Sequence, residues 1–225
     1  MEKTFVVTGA SRGIGYDLVQ HIANQGHTVY ALSRSIKTIK KTPKLFPIAI
    51  DITDEKALEE FANQLKDNKV VVDALVNNAG ALLNQPFSET TKEDFEAVYR
   101  VNVFGLASLT RLLLPLIDPK GHVVNISSMG GIGGSSKFPG LAAYSSSKGA
   151  VNILTELLAE EYKESGPSFN ALALGAVQTE MLAQAFPGFQ APLSAKEMAQ
   201  YIFKFAVEGH HFFNGKTLPV SSSTP

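Results

Sequence analysis

The chain has 225 residues, 44% hydrophobic and 18% charged, with 18 Gly and 11 Pro. These are the values of an ordinary globular chain and exclude collagen-like, coiled-coil and disordered classes. Lys plus Arg number 20 against 21 Asp plus Glu, which leaves no basic field to hold nucleic acid or anionic lipid. The absence of Cys excludes disulfides, thiolate metal sites and a thiol nucleophile, and fits a reducing compartment, so the cytoplasm is the expectation.

The opening residues run from Met1 to Thr4 straight into the strand-like Phe5–Thr8, with no room for a charged, then apolar, export leader. A glycine-broken turn, Gly9 to Gly15, leads into helical spacing from Ile14 to Asn24, and Gly26 stops that helix before a strand at His27–Leu32. This is one βαβ unit. The alternation continues with a strand at Phe46–Ile50, a helix from the N-cap Asp54 to Lys66, and a strand at Val71–Val76.

A long helix is predicted over Phe95–Ile117, then a strand at His122–Ile126 and a Gly/Ser-rich loop from Ser127 to Gly140. A helix at Ala143–Lys163, a strand at Ser168–Leu174, a helix at Ser194–Val207 and a last strand at Lys216–Val220 complete the pattern. Strands separated by helices imply a doubly wound α/β fold: a parallel sheet of about seven strands with helices on both faces, in a single domain over residues 1–220. Residues 221–225 read as a flexible tail. Apolar runs such as Leu112–Ile117 and Ala171–Val177 fall short of the roughly 18 residues of a membrane span.

Thr8-Gly9-Ala10-Ser11-Arg12-Gly13-Ile14-Gly15 joins the first strand to the first helix, where free N–H groups and the helix dipole favour a phosphate. Gly9 allows the tight turn, Gly13 the approach of a pyrophosphate, and Gly15 the close packing of helix on strand. The same residues also match G-x-S-x-G, the elbow of a serine hydrolase, but that elbow needs strands upstream and follows the first strand here. After the second strand no carboxylate is available for a ribose 2′-hydroxyl. Ser33 and Arg34, with Arg12 and Lys37 near, suit the 2′-phosphate of NADP(H) instead, and NAD(H) is the second choice.

Tyr144 and Lys148 stand one helical turn apart, so phenol and ammonium can share a site, and a nearby cation lowers a phenol's pKa. Asn102 falls on the apolar face with Phe95, Tyr99, Leu106, Leu109 and Leu113, where a buried amide needs partners. Ser128 ends a predicted parallel strand on the edge where ligands bind, with Ser127 its competitor. The five His show no metal-ligand spacing.

Over nearly its whole length the sequence resembles the short-chain dehydrogenase/reductase family, whose Rossmann-type fold has the predicted architecture. The matches come in family order: Thr8-Gly9-x-x-x-Gly13-x-Gly15, Asp51-Ile52, Asn77-Asn78-Ala79-Gly80, Asn102, Asn125-Ile126-Ser127-Ser128, Tyr144-x-x-x-Lys148 and Gly175-Ala176-Val177-Gln178-Thr179.

The resemblance implies that Asp51 and Ile52 touch the adenine and that the Asn77–Gly80 turn, with Asn78 and Ala79 inside it, lines the adenine-ribose side. Ser128 would hold the substrate oxygen, Tyr144 exchange its proton, and Lys148 bind the nicotinamide ribose and lower the Tyr pKa. Asn102 would complete a proton relay through water, and Val177 and Thr179 would hold the carboxamide. The implied reaction interconverts a small-molecule carbonyl and alcohol by hydride transfer. A homodimer or homotetramer built on the Phe95–Ile117 and Ala143–Lys163 helices is the implied assembly.

The sequence departs from the family pattern where Leu174 replaces the usual Pro before Gly175, and where a few extra residues lengthen the glycine-rich Ser128–Tyr144 interval, expected to be a mobile loop at the substrate. Met181, Leu182, Phe186 and Phe189 make the following segment apolar, which suits a modestly hydrophobic carbonyl compound or simple packing against the domain. A dinucleotide-binding sensor or scaffold of the same fold, without redox chemistry, is the alternative from another class.

Overall fold

The computed structural model describes residues 1–221; positions 222–225 of the expected tail lie outside the described residues. In chain order the elements are β1 (Thr4–Thr8), α1 (Gly13–Asn24), β2 (Thr28–Ser33), β3 (Leu45–Ala49), α2 (Glu55–Asp67), β4 (Val72–Asn77), α3 (Lys92–Tyr99) and α4 (Leu106–Leu113). There follow β5 (Ile117–Ser128), α5 (Ala142–Glu161), β6 (Ser168–Leu174), β7 (Val177–Gln178), α6 (Glu180–Ala185), β8 (Leu193–Ser194), α7 (Ala195–Glu208) and β9 (Lys216–Val220).

Seven strands form one sheet in the order β3-β2-β1-β4-β5-β6-β9, every neighbouring pair parallel, while β7 and β8 pair separately. The sheet is apolar on both faces because both are covered, as parallel sheets require. Along β1 the alternation is direct: Phe5 and Val7 pack with Leu18 and Ile22 of α1 and Met198 and Ile202 of α7, whereas Val6 points to the opposite core with Leu58 and Phe61 of α2 and Leu109 of α4. The chain order reverses between β1 and β4, so the loops at their carboxyl ends part and leave a crevice.

The helix predicted at Phe95–Ile117 is not continuous. It starts earlier, at Lys92, on a capping box between Thr91 and Asp94, and a π turn at Arg100–Gly105 separates α3 from α4. A 3-10 turn at Leu114–Leu116 follows, and β5 begins at Ile117, well before His122, with a register shift where it pairs with Val72 and Ala74 of β4. By length and composition alone the helical stretch Lys92–Leu116 is long and apolar enough to cross a membrane, a property that core helices share. Its apolar face is spent on the sheet, with Leu109 and Leu113 fully buried.

Candidate active site

A cleft of about 650 Å³ runs along the carboxyl ends of the strands, from Ser33, Arg34, Asp51 and Ile52 at one end to Ser128, Tyr144 and Lys148 at the other. Every residue expected at the cofactor lines it except Gly15 and the buried Asn77, including Gly9, Ser11, Arg12, Gly13, Ile14, Asn78, Ala79, Gly80, Gly175, Val177 and Thr179. Lys37 does not reach it.

The glycine loop is held by contacts that only glycine permits. Gly9 has φ +69°, and a Cβ there would meet the Ala79 Cα at 2.9 Å; a Cβ on Gly15 would lie 2.2 Å from the Gly9 carbonyl oxygen. The Thr8 hydroxyl accepts from the backbone N–H groups of Asn78 (3.0 Å) and Ala79 (2.9 Å), and the Asn78 amide donates back to the Thr8 carbonyl at 3.0 Å. Thr8 and Asn78 therefore stitch the ends of β1 and β4 together, a positioning task that the motif contained but did not reveal.

The N-terminus of α1 differs from those of α2, α3, α6 and α7, which are capped by the side chains of Asp54, Thr91, Thr179 and Ser194. Arg12 stands at that position on α1 and makes no such cap, so the first-turn N–H groups meet the cleft without a side-chain acceptor. With the bare glycine backbone beside them, these groups fit a pyrophosphate. The Arg12 guanidinium itself donates to Glu180 of α6 at 3.0 Å. Asp51 is held in a turn, accepting from the Thr53 N–H and hydroxyl at 2.9 Å each.

At the other end α5 presents Tyr144 and Lys148 on one face, with Nζ 5.8 Å from the phenol ring centroid. Lys148 is buried, its Nζ donates to the Ile126 carbonyl at 2.8 Å, and burial pushes its pKa down to about 8. Burial pushes the Tyr144 phenol up, and the Ser128 hydroxyl lies close enough to pull it part of the way back. The expected lowering of the phenol by Lys148 is thus not found: desolvation outweighs any help from an ammonium spent on a carbonyl. Both serines of the pair line the cleft, but Ser127 is buried and donates to the Lys148 carbonyl at 3.3 Å, while Ser128 is half-buried.

Asn102 lies inside the π turn and is 1% exposed. Its Oδ1 accepts from the Ala81 N–H at 2.7 Å, and its amide donates to the Ala81 carbonyl and the Ser147 hydroxyl at 2.9 Å each. The side chain does not itself line the cleft, and its three hydrogen bonds join the β4 loop to α5. Gly80 sits in the gap: a Cβ there would stand 3.6 Å from Asn102 Oδ1 and 3.7 Å from Lys148 Nζ. Sequence reasoning also missed a buried ladder beneath the site. In it Asn77 donates to Thr110 and Asn125, and Asn125 donates to Thr155, tying α4, β4, β5 and α5 together.

A family model for short chain dehydrogenase matches residues 3–188. The chain belongs to that family. As a short-chain dehydrogenase it is an oxidoreductase of carbonyl and alcohol groups that binds a nicotinamide dinucleotide, which excludes the hydrolase reading of Ser11.

Among curated relatives this dehydrogenase is 33% identical over 204 residues to an NADPH-dependent pterin aldehyde reductase of Arabidopsis thaliana, covering 84% of this chain and 83% of that one. Among solved structures, ElxO with NADP bound superposes with a TM-score of 0.84 at 28% identity, covering 98% of this chain and 97% of the other. The 3-ketoacyl-(acyl-carrier-protein) reductase of Brucella melitensis complexed with NADH gives 0.86 at 25%, covering 97% and 96%. Both nicotinamide cofactors therefore occur among similar proteins. In this dehydrogenase Leu174, in place of the family Pro, is buried at the end of β6, and the turn after it is fastened by the Gly175 N–H donating to Val220 at 2.9 Å.

Proposed function

We propose that this short-chain dehydrogenase reduces carbonyl compounds, or oxidises the corresponding alcohols, with NADP(H), and that Tyr144 exchanges the proton. The observation that carries this reading is the junction of Tyr144, Ser128 and Lys148 at one end of a cleft whose other end is a glycine-walled helix N-terminus. When bound, the dinucleotide supplies or takes the hydride. Ser128 orients the substrate oxygen, and the Tyr144 phenol, kept protonated by burial, gives its proton to that oxygen during reduction. Lys148 faces the ribose position and stabilises the phenolate that forms. Asn102 acts as a positioning residue, holding Ala81 and Ser147 on either side of Gly80.

The adenosine end supports NADP(H) over NAD(H): Ser33 and Arg34 stand at the carboxyl end of β2 in the cleft that Arg12 also lines, with no carboxylate at the position for a 2′-hydroxyl. The NADPH dependence of the Arabidopsis relative points the same way. Phe104, Ile153 and Leu157 leave an exposed apolar strip on the α4–α5 side, which supports a homodimer or homotetramer through these helices.

The test is consumption of NADPH absorbance with a panel of ketones and aldehydes, run beside Tyr144→Phe. The expected result is turnover in the native chain and none in the variant, with NADPH still raising the melting temperature of both. NADPH binding without turnover of any substrate favours the sensor reading.

A further inference from the structure

The reaction end of the cleft has a construction that the adenosine end lacks. Its walls come from three separate stretches, and each is tied to another. The Asn84 amide, after β4, donates to the Ala185 carbonyl at the end of α6 at 2.7 Å, and the Gln85 N–H donates to the Gly140 carbonyl of the β5–α5 loop at 2.9 Å. Between that loop and α6, the rings of Phe138 and Phe186 meet edge to face, with centroids 5.2 Å apart and an interplanar angle of 75°. Both residues line the same cleft as Tyr144, where they make an aromatic corner between the β5–α5 loop and α6.

Charge is distributed unequally. Arg34 and Asp51 belong to the β2–β3 end, Arg12 and Glu180 are paired with each other, and Lys148 is committed to the Ile126 carbonyl. Among the described residues lining the reaction end, the other side chains are apolar or neutral, and the charge of Glu180, in the first turn of α6, is met by Arg12 at 3.0 Å. A carboxylate or phosphate on the substrate would lose water there without gaining a cation.

From this we infer that the preferred substrate is an uncharged aromatic aldehyde or ketone, whose ring seats as a third member against Phe138 and Phe186 while its carbonyl reaches Ser128 and Tyr144. The inference rests on the proposed reaction and names its substrate class. The step balances: hydride from the reduced dinucleotide goes to the carbonyl carbon, the phenol proton goes to the oxygen, and solvent reprotonates Tyr144.

The test compares kcat/KM for benzaldehyde, para-carboxybenzaldehyde and diacetyl with NADPH and with NADH, in the native chain, Phe186→Ala and Phe138→Ala, each checked for an unchanged melting transition. The expected result is a preference of about tenfold for benzaldehyde over its carboxylated twin. At least one folded variant should lower the benzaldehyde value about tenfold and leave diacetyl within about twofold, the size of one lost aromatic contact. Equal or better use of para-carboxybenzaldehyde overturns the inference, as does a fall that is the same for benzaldehyde and diacetyl, and either leaves the proposed reaction standing. No reduction of any of the three with either cofactor overturns both.

Discussion

Tyr144 and Lys148 meet with Nζ 5.8 Å from the ring centroid, yet burial moves their pKa values in opposite directions, the phenol up and the ammonium down to about 8. At neutral pH the phenol therefore holds its proton and the amine keeps most of its charge, the combination needed to donate a proton to a carbonyl. Raising the pH through 8 discharges Lys148 and removes the cation that stabilises the phenolate. The kcat/KM for carbonyl reduction is expected to be flat up to pH 7 and to fall with a break near 8, while alcohol oxidation, which needs the phenolate, rises with pH. A reduction rate that climbs from neutral to alkaline pH contradicts this assignment.

The same buried ammonium weakens the fold. Its folded pKa, about 8, lies below the 10.5 of an ordinary Lys, so between these values the unfolded chain binds more protons and stability rises with pH; below 8 the whole penalty, about 3 kcal/mol, is present. Lys148→Met removes it at the expense of the bond to Ile126. The expected net gain at pH 7 is roughly 0–2 kcal/mol in chemical denaturation, with turnover abolished. A variant less stable than the native chain at pH 7 would show that the bond to Ile126 outweighs the burial.

Asn102→Ala deletes three hydrogen bonds, to both backbone groups of Ala81 and to Ser147. It leaves buried groups unpaired, at a cost of about 2–4 kcal/mol. If the residue positions the loop rather than the reacting atoms, Asn102→Asp, which keeps the acceptor for the Ala81 N–H, should retain more kcat than Asn102→Ala. Equal losses of kcat in two folded variants would count against that role.

How far the sequence carries is visible in these same residues. Period-two strands, capped helices and the glycine turn follow from local rules, and β9 occupies the predicted residues Lys216–Val220. The π turn around Asn102 escapes such rules, because Leu106, Leu109 and Leu113 keep helical spacing after the interruption and nothing in that spacing records the extra residue. The strand predicted from His122 begins instead at Ile117 and takes in Pro119 and Gly121, whose place in β5 the bulged register with β4 accommodates. Residue types and the family resemblance named Tyr144, Lys148 and Ser128 as candidates, but packing buries Ser127 and raises the phenol instead of lowering it.

His122 supplies an acid limit. It is fully buried in β5, its Nδ1 donating to the Ala206 carbonyl at 3.2 Å and its Nε2 accepting from Asn170 at 3.0 Å, an arrangement assigned from the partners that fixes a neutral ring. Burial pushes its pKa down to about 3 from the 6.5 of an ordinary His. Between these values the unfolded chain takes up a proton that the folded chain refuses, so stability falls as pH falls, by about 2 kcal/mol at pH 5. Urea unfolding from pH 7 to 5 should show this slope, and His122→Gln should flatten it. A slope unchanged in a folded variant assigns the acid sensitivity elsewhere.

The Arg12–Glu180 pair joins the glycine loop to the segment that roofs the reaction end, across 168 residues of sequence. Both side chains are more than half exposed, so the pair itself contributes little to stability. Its consequence lies in competition: Arg12 faces the same cleft as Ser33 and Arg34, and a 2′-phosphate on the ribose offers it a dianion in place of one carboxylate. Glu180→Gln removes the competitor, so NADPH should bind about three- to tenfold tighter while NADH, which lacks the phosphate, changes less than about twofold. Arg34→Asp should move the preference the other way, toward NADH, by repelling the phosphate. Isothermal titration of both cofactors into both variants measures these shifts, and affinities for NADPH and NADH that move in parallel would mean that neither arginine contacts the phosphate.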